Sequence, residues 1–303
     1  MGCKVLKSKI NIHFIYILSA AALWGISGIY VRTLQNTAFT QMGIVYGRSF
    51  FTAIVLAVFI FFKDKSLFKV KLKDLPWFIA ASVFSIILFN FSYYKTMSLT
   101  SLSVAAVLLY TAPFFVVIIS AFLFKEKITL KKVAACIIAF IGCLFVSGVF
   151  GSQNRITLSA IIFGLLTGFG YALYTVFGRI LIDKGYDTFT ITFYIFFFSV
   201  ICGLPFINIG DTFTVMFSSS KVLITIFLMA VFNTVVPYML YTKGLLGVET
   251  SVAPIICTLE PVVATVTGVV LYKEPLNFLS VFGIVLFLGS VIILNLKVGK
   301  NEN

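Results

Sequence analysis

The chain has 303 residues, 60% hydrophobic and 11% charged, where soluble domains average about 45–50% and about 25%. That much apolar surface, with 35 Phe, exceeds what one aqueous core can bury and excludes a soluble enzyme, a disordered chain and a secreted disulfide scaffold. The formal charge of +13 does not indicate a nucleic-acid partner, because the basic residues sit in short segments between long apolar runs, which is where topology signals of membrane proteins lie.

A bilayer-crossing helix needs roughly 20 apolar residues. Runs of that kind cover 10–31, 75–94, 96–124, 133–154, 156–178, 188–210, 222–242, 250–272 and 275–296; a further run, 33–62, is interrupted by Arg48, and Glu260 stands inside the ninth span. Ten helices with short connections use nearly the whole chain and leave no room for a soluble domain. The sequence has no GxxxxGK[ST] loop, so ATP does not drive it from within. Placing the N-terminus inside puts 17 Lys and Arg on the cytoplasmic side and five on the other. That bias predicts a multi-pass plasma-membrane protein with both termini cytoplasmic. The first apolar run lacks a small-residue cleavage signal, and Met1-Gly2-Cys3 lacks the Ser or Thr at position 6 of a myristoylation site, so a retained first span is expected. Five cysteines without CxxC spacing read as small buried hydrophobes, and one histidine, His13, cannot build a metal cluster.

Displaced by 148 positions, residues 93–126 fall on 241–274 without a gap, and nine of the 34 pairs are identical, among them Ser103/Ser251, Pro113/Pro261, Lys125/Lys273 and Glu126/Glu274. Composition alone would give about two or three, so the chain is an internal repeat. Arg32 and Arg179, one position off that register, close the first and sixth spans alike. Each half holds five spans, 12–149 and 156–296. An odd number of crossings turns the second copy upside down, the arrangement from which many secondary transporters derive two alternative states.

The stretches YTAPFFVVIISAFLFKEKIT (110–129) and LEPVVATVTGVVLYKEP (259–275), with AALWGISGIYVR (21–32) and YGRSFF (46–51), resemble the paired motifs of EamA-type members of the drug/metabolite transporter superfamily. The resemblance covers roughly 14–296. It implies an all-α membrane fold of ten helices in two inverted five-helix repeats, with a central cavity lined by the first four helices of each. It also implies transport of small metabolites. The Gly-Glu that the family carries after its fourth span is Lys-Glu here, at 125–126 and 273–274, a departure at a membrane interface expected to matter little.

Two charges at membrane depth are the foremost site candidates. A carboxylate there costs about 2.5–3.5 kcal/mol on insertion scales and should face a cavity or a partner. Glu260 is accordingly the candidate for proton coupling, or for a structural bond to the carbonyl freed by Pro261. Arg48 could grip a carboxylate or phosphate with both arms, pair with Glu260, or point to the rim. Asn90 and Asn233 should face inward, and Trp24, Tyr110, Tyr171 and Tyr174 could line the cavity by stacking. Pro113, Pro237, Pro254 and Pro261 are hinge candidates. Lys95 and Lys243 read as snorkelling anchors or gate residues. The reading is a non-enzymatic transporter of small metabolites such as amino acids, in the export direction, in a bacterial inner membrane, with no cofactor and no metal. Its partners are a small-molecule substrate and the bilayer, and the oligomeric state is open, a homodimer included. A sugar-phosphate or nucleotide-sugar exchanger and a non-transporting scaffold or sensor are the alternatives.

Overall fold

The computed structural model describes residues 11–35, 37–147, 149, 157–275 and 277–295. Lys4, Lys7, Lys9, Arg155, Lys297 and Lys300 of the charge bias, Cys3, and the end of the 133–154 run lie outside them. Every regular element among the described residues is helical. In the first half α1 (Ile12–Gly25) and α2 (Ser27–Gln35) make one span broken at Ile26, and α3 (Gln41–Lys63) follows. α4 (Leu75–Ser82) runs through a π-helical turn, Val83–Leu88, into α5 (Phe89–Leu99). α6 (Leu102–Leu109) and α7 (Ala112–Leu123) share the next span, and α8 (Leu130–Val146) closes the half.

The second half repeats this plan. It comprises α9 (Leu158–Asp183), α10 (Thr188–Gly203), a short α11 (Ile209–Met216), then α12 (Ser220–Ala230), a π-helical turn Val231–Val235 and α13 (Val236–Gly244). α14 (Ala253–Cys257) and α15 (Leu259–Tyr272) share a span, and α16 (Phe278–Asn295) ends it. Eight of these segments are long and apolar enough to cross a bilayer. The 17-residue α8 and 18-residue α16 hold the fifth place in each half and pack on one another.

Several boundaries differ from the apolar runs for local reasons. The second span starts at Gln41 rather than 33 because the Thr40 hydroxyl accepts the Gly43 amide as an N-cap. The fourth starts at Leu102 rather than 96 because Ser101 caps it, while 96–99 finish the preceding helix. The seventh stops at Gly203, ahead of Pro205, and Asn208 caps the added α11.

The register of 148 extends through the structure. The π-helical turns start at 83 and 231, the last helices at 130 and 278, and the fourth-span breaks fall at Tyr110 and Thr258. The copies are also inverted. Arg179 donates to the Leu245 carbonyl (3.2 Å), near where α1 begins, since Asn11 donates to Gly247 O (3.0 Å) and His13 Nδ1 to Lys243 O (2.9 Å). Its counterpart Arg32 pairs instead with Glu274 beyond α15, at the opposite end. The core is shared, with Trp24 and Phe78 of the first half buried against Tyr174, Phe196, Tyr238 and Tyr241 of the second. Phe62, Phe122, Leu130 and Phe278 stand exposed around it, as side chains facing lipid do.

α8 and α16 cross closely at glycine. A Cβ on Gly142 would lie 2.9 Å from the Gly283 carbonyl, and one on Gly283 2.6 Å from that of Gly142. Gly283→Leu should therefore cost about 1–3 kcal/mol, read as a lowered melting midpoint in detergent. An unchanged midpoint would mean that this crossing does not hold the two halves together.

Candidate functional site

Arg48 lies in α3 with only 9% of its surface exposed. It forms no ion pair with Glu260, which sets aside the pairing expected as one alternative, and it does not reach the rim. Its Nη2 donates to Asn90 Oδ1 (3.2 Å), and Asn90 is fixed in turn because its Nδ2 donates to the Ile86 carbonyl (2.7 Å) inside the π-helical turn. A π-helical turn shifts the ladder by one residue and leaves carbonyls for side chains. The guanidinium Nε is buried with no protein partner.

The second π-helical turn carries Asn233, which does not line open space. It is buried, and its Nδ2 donates to the Leu23 carbonyl (2.9 Å) beside the α1/α2 break, tying the two halves. Leu23 is followed by Trp24, the hub of an aromatic cluster. Its indole lies 5.1 Å from Tyr238 and 6.3 Å from Tyr171, both edge-on, and 5.5 Å from Tyr241. Tyr174 completes the group, edge-on to Tyr238 at 4.7 Å and joined through its hydroxyl to Thr242 (3.0 Å). These rings with Ser85, Phe89 and Thr175 line a cavity whose open core is about 10 Å³, room for one water. Tyr110 packs beside it with Leu109 and Cys143, in contact with Tyr171. Of the sequence candidates, Trp24, Tyr171 and Tyr174 therefore meet in one place and Tyr110 adjoins it. Tyr238 and Tyr241 were missed, although Tyr238 is the repeat counterpart of Asn90.

Glu260 stands in the first turn of α15, immediately after the break at Thr258. Its side chain is half-buried and makes no hydrogen bond or ion pair among the described residues; the bond to the carbonyl freed by Pro261 is not formed. It is close enough to act electrostatically on Tyr93, Tyr110, Tyr171 and Tyr238, while Arg48 acts on Tyr94 and Tyr238. Both charges act on Tyr238. α1 comes close here because residue 25 is glycine: a Cβ would lie 2.7 Å from the Glu260 carbonyl oxygen. The prolines sit at helix starts just after the breaks: Pro113 opens α7, Pro237 α13, and Pro261 lies in the first turn of α15. Pro254 is in the first turn of α14, where its missing N–H removes no ladder bond.

The Lys-Glu departures are more than interface decoration. Lys125 and Lys273 both take φ 55°, the left-handed region that favours glycine. Each thereby delivers the following glutamate to the other half. Glu126 accepts the amides of Thr250 (2.8 Å) and Ser251 (3.0 Å) and the Ser251 hydroxyl, and lies 3.7 Å from Lys132, which also pairs with Glu249 at 2.5 Å. Burial works to raise the Glu126 pKa, but the bonds from Ser251 and Thr250 outweigh it and hold the carboxyl below its ordinary value. Asp74 extends the same end, accepting from Lys184 (2.7 Å) and Tyr186 (2.8 Å). At the opposite end Arg32 pairs with Glu274, both about half exposed, and stacks on Tyr272 at 4.0 Å. Lys95 is exposed, and Lys243 gives its carbonyl to His13 while its ammonium lies 5.7 Å from the Phe189 ring. No three His, Cys, Asp or Glu converge as a metal site among the described residues.

Comparison with known proteins agrees with this geometry. The model of the EamA-like transporter family matches residues 11–148 and again 158–296. A protein of Archaeoglobus fulgidus named an uncharacterized transporter is 29% identical over 83% of this chain and 91% of its own length. The uncharacterized inner membrane transporter YicL of Salmonella typhimurium is 24% identical over 92% and 94%. A solved crystal structure superposes with a TM-score of 0.78 at 14% identity, covering 93% of this chain and 96% of that one, which shows a shared fold.

Two outcomes follow from the buried polar groups. Asn90→Leu strands the guanidinium and should cost about 1–3 kcal/mol, whereas the double variant Asn90→Leu/Arg48→Met should recover part of that loss in thermal unfolding; purely additive losses would mean the two side chains do not depend on each other. Glu126 has a depressed folded pKa, so its stabilisation is present above its unfolded value of about 4.3 and is lost as pH falls through the folded value. Glu126→Gln should lower the melting midpoint at pH 7 and flatten its decline below pH about 4; a decline as steep as that of the wild type would place the acid sensitivity elsewhere.

Proposed function

The chain belongs to the EamA-like transporter family, and we propose that this multi-pass membrane transporter moves a small zwitterion, an amino acid or related compound, by alternating access between its halves. The observation that carries the substrate class is the pair of unlike, unpaired charges that both act on Tyr238. Arg48 has a buried Nε without a partner, and Glu260 has an unpartnered carboxylate. A free guanidinium arm suits a carboxylate, bound as a charge-assisted hydrogen bond. Glu260 suits an ammonium group, or a proton when no substrate is bound. The Trp24, Tyr171, Tyr174 and Tyr238 rings supply apolar faces for the rest of the molecule.

A dianionic sugar phosphate is a poorer match. It would call for several cations at this depth, and Lys132, also buried, is engaged by Glu126 and Glu249. The ten helical segments are read as ten crossings, with both termini in the cytoplasm from the distribution of Lys and Arg. The name of the Salmonella relative supports a bacterial inner membrane. Export is assigned from the family resemblance. With the cavity nearly closed, substrate enters only when one end opens, so the structure corresponds to a state without room for cargo.

The test is efflux of a panel of labelled amino acids from preloaded cells and inside-out vesicles, with the proton gradient intact or collapsed. One compound should move in wild type. Arg48→Ala should slow it at least about tenfold, the equivalent of one charge-assisted contact. Glu260→Gln should move it without responding to the gradient. A broad panel in which nothing moves would end the amino-acid reading, and full transport by Arg48→Ala would remove Arg48 from the site.

A further inference from the structure

The two Lys-Glu motifs are identical in sequence and in backbone conformation, yet their glutamates hold unlike partners. Glu126 binds the Thr250 and Ser251 amides and the Ser251 hydroxyl, whereas Glu274 binds Arg32. In the repeat register Ser251 corresponds to Ser103 and Thr250 to Leu102. The amides of Leu102 and Ser103 have no hydrogen-bond partner among the described residues, although the amide of the following Val104 is capped by Ser101. Arg179, the counterpart of Arg32, is held by the Leu245 carbonyl (3.2 Å) and Asp183 (3.0 Å), close to the segment that Glu126 occupies. Each half therefore carries the same three parts, an arginine, a serine turn and a glutamate, used differently at the two ends.

We propose that Glu126 and Glu274 are the gate carboxylates of the transport cycle and that they exchange partners between its two states. In the state seen here Glu126 shuts its end on the Ser251 turn, and Glu274 rests on Arg32. In the other state Glu274 takes the Leu102 and Ser103 amides and shuts the opposite end, and Glu126 passes to Arg179. The inequality of the two ends supports this. Glu126 lies in a network with the Lys132 ammonium and, through it, Glu249, and the same end also carries the Arg179–Asp183 and Lys184–Asp74 pairs with Tyr186. The Arg32–Glu274 pair is half exposed on both sides, a setting in which ion pairs contribute little. Inverted repeats make the second state the mirror of the first: if one half adopts the conformation of the other, the same residues meet with their roles interchanged. The left-handed Lys125 and Lys273 fit the scheme, since strained backbone is retained where the surrounding contacts require it.

The inference rests on the alternating-access reading, and hydrogen–deuterium exchange of the full-length protein in detergent micelles tests it without a substrate. In wild type the Thr250 and Ser251 amides should be protected and the Leu102 and Ser103 amides should exchange freely. Glu126→Gln should lower protection at 250–251 about tenfold and raise it at 102–103 by a similar factor. Ser251→Ala, a milder change, should move both in the same directions by less. Glu274→Gln, at a half-exposed pair of the kind that contributes little to stability, should strengthen 250–251 and never protect 102–103. Loss at 250–251 without gain at 102–103 in both the Glu126 and Ser251 variants would overturn the exchange. So would a gain at 102–103 that survives in Glu126→Gln/Glu274→Gln. Efflux measured on the same variants separates the two readings. Transport without reciprocal protection removes the gate alone, and reciprocal protection with no compound moved leaves the gate standing and removes the transport assignment.

Discussion

In the hydrocarbon core there is no water to satisfy a backbone N–H or carbonyl, so every interruption of a helix must be answered by protein. This chain interrupts its spans at Ile26, at the π-helical turns 83–88 and 231–235, and at Tyr110 and Thr258. Each break is met by a side chain. Asn233 takes the Leu23 carbonyl, Asn90 the Ile86 carbonyl, Ser85 that of Ala81, Thr234 that of Met229 (3.4 Å), Thr111 that of Leu108 (2.6 Å) and Thr258 that of Ile255 (2.7 Å). The candidate site is assembled from these same residues and their neighbours: Asn90 holds Arg48, Trp24 follows Leu23, and Glu260 follows Thr258 by two positions. Breaking the ladders creates both the polar groups a site needs and the requirement that binds the halves together.

That constraint also explains what the sequence reveals. A charge in an apolar run is costly, so Arg48 and Glu260 stand out by inspection, and Asn90 nearly as clearly. The repeat is visible because Pro113/Pro261 and the Lys-Glu pairs recur at one spacing, and an odd number of spans then requires inversion. Helical hydropathy can count segments. It cannot show where a ladder shifts by one residue, because a π-helical turn has no composition of its own. Tyr238 and Tyr241 were hidden for a related reason: among 13 Tyr and 35 Phe, nothing marks the rings that meet until the turn before α13 has aimed them.

Lys125-Glu126 and Lys273-Glu274 show the opposite error. As a departure from a family pattern at a membrane interface they are expected to matter little, because composition says nothing about partners 125 positions away. The structure makes Glu126 a receptor for two amides, a hydroxyl and an ammonium ion. A lysine held at φ 55° is the cost about 1–2 kcal/mol of an L-residue in the left-handed region, and it is accepted twice in equivalent places. That a strained feature should recur in both halves, while the contacts it delivers do not, argues that the strain serves both ends in turn.

The site's charges and the gates are related through the same breaks. α15 starts just before Glu260 and ends just before Lys273 and Glu274, and α7 starts beside Tyr110 and ends just before Lys125 and Glu126. Each is a rigid rod of 12 or 14 residues, with a cavity residue at one end and a gate glutamate at the other. A tilt of α15 about the Thr258 break moves Glu260 little and Glu274 most, by the tilt angle times a rod length of about 1.5 Å per residue. Pro261 stands in the first turn after that pivot and has no N–H to tie the turn back across the break, so the tilt need not break a bond there. A ligand that neutralises Glu260 or engages Arg48 changes the forces at the pivot, and the far glutamate carries the result to the membrane surface. Coupling between cargo and gate then requires no chain of side chains across the bundle, only two stiff helices hinged where the site is built.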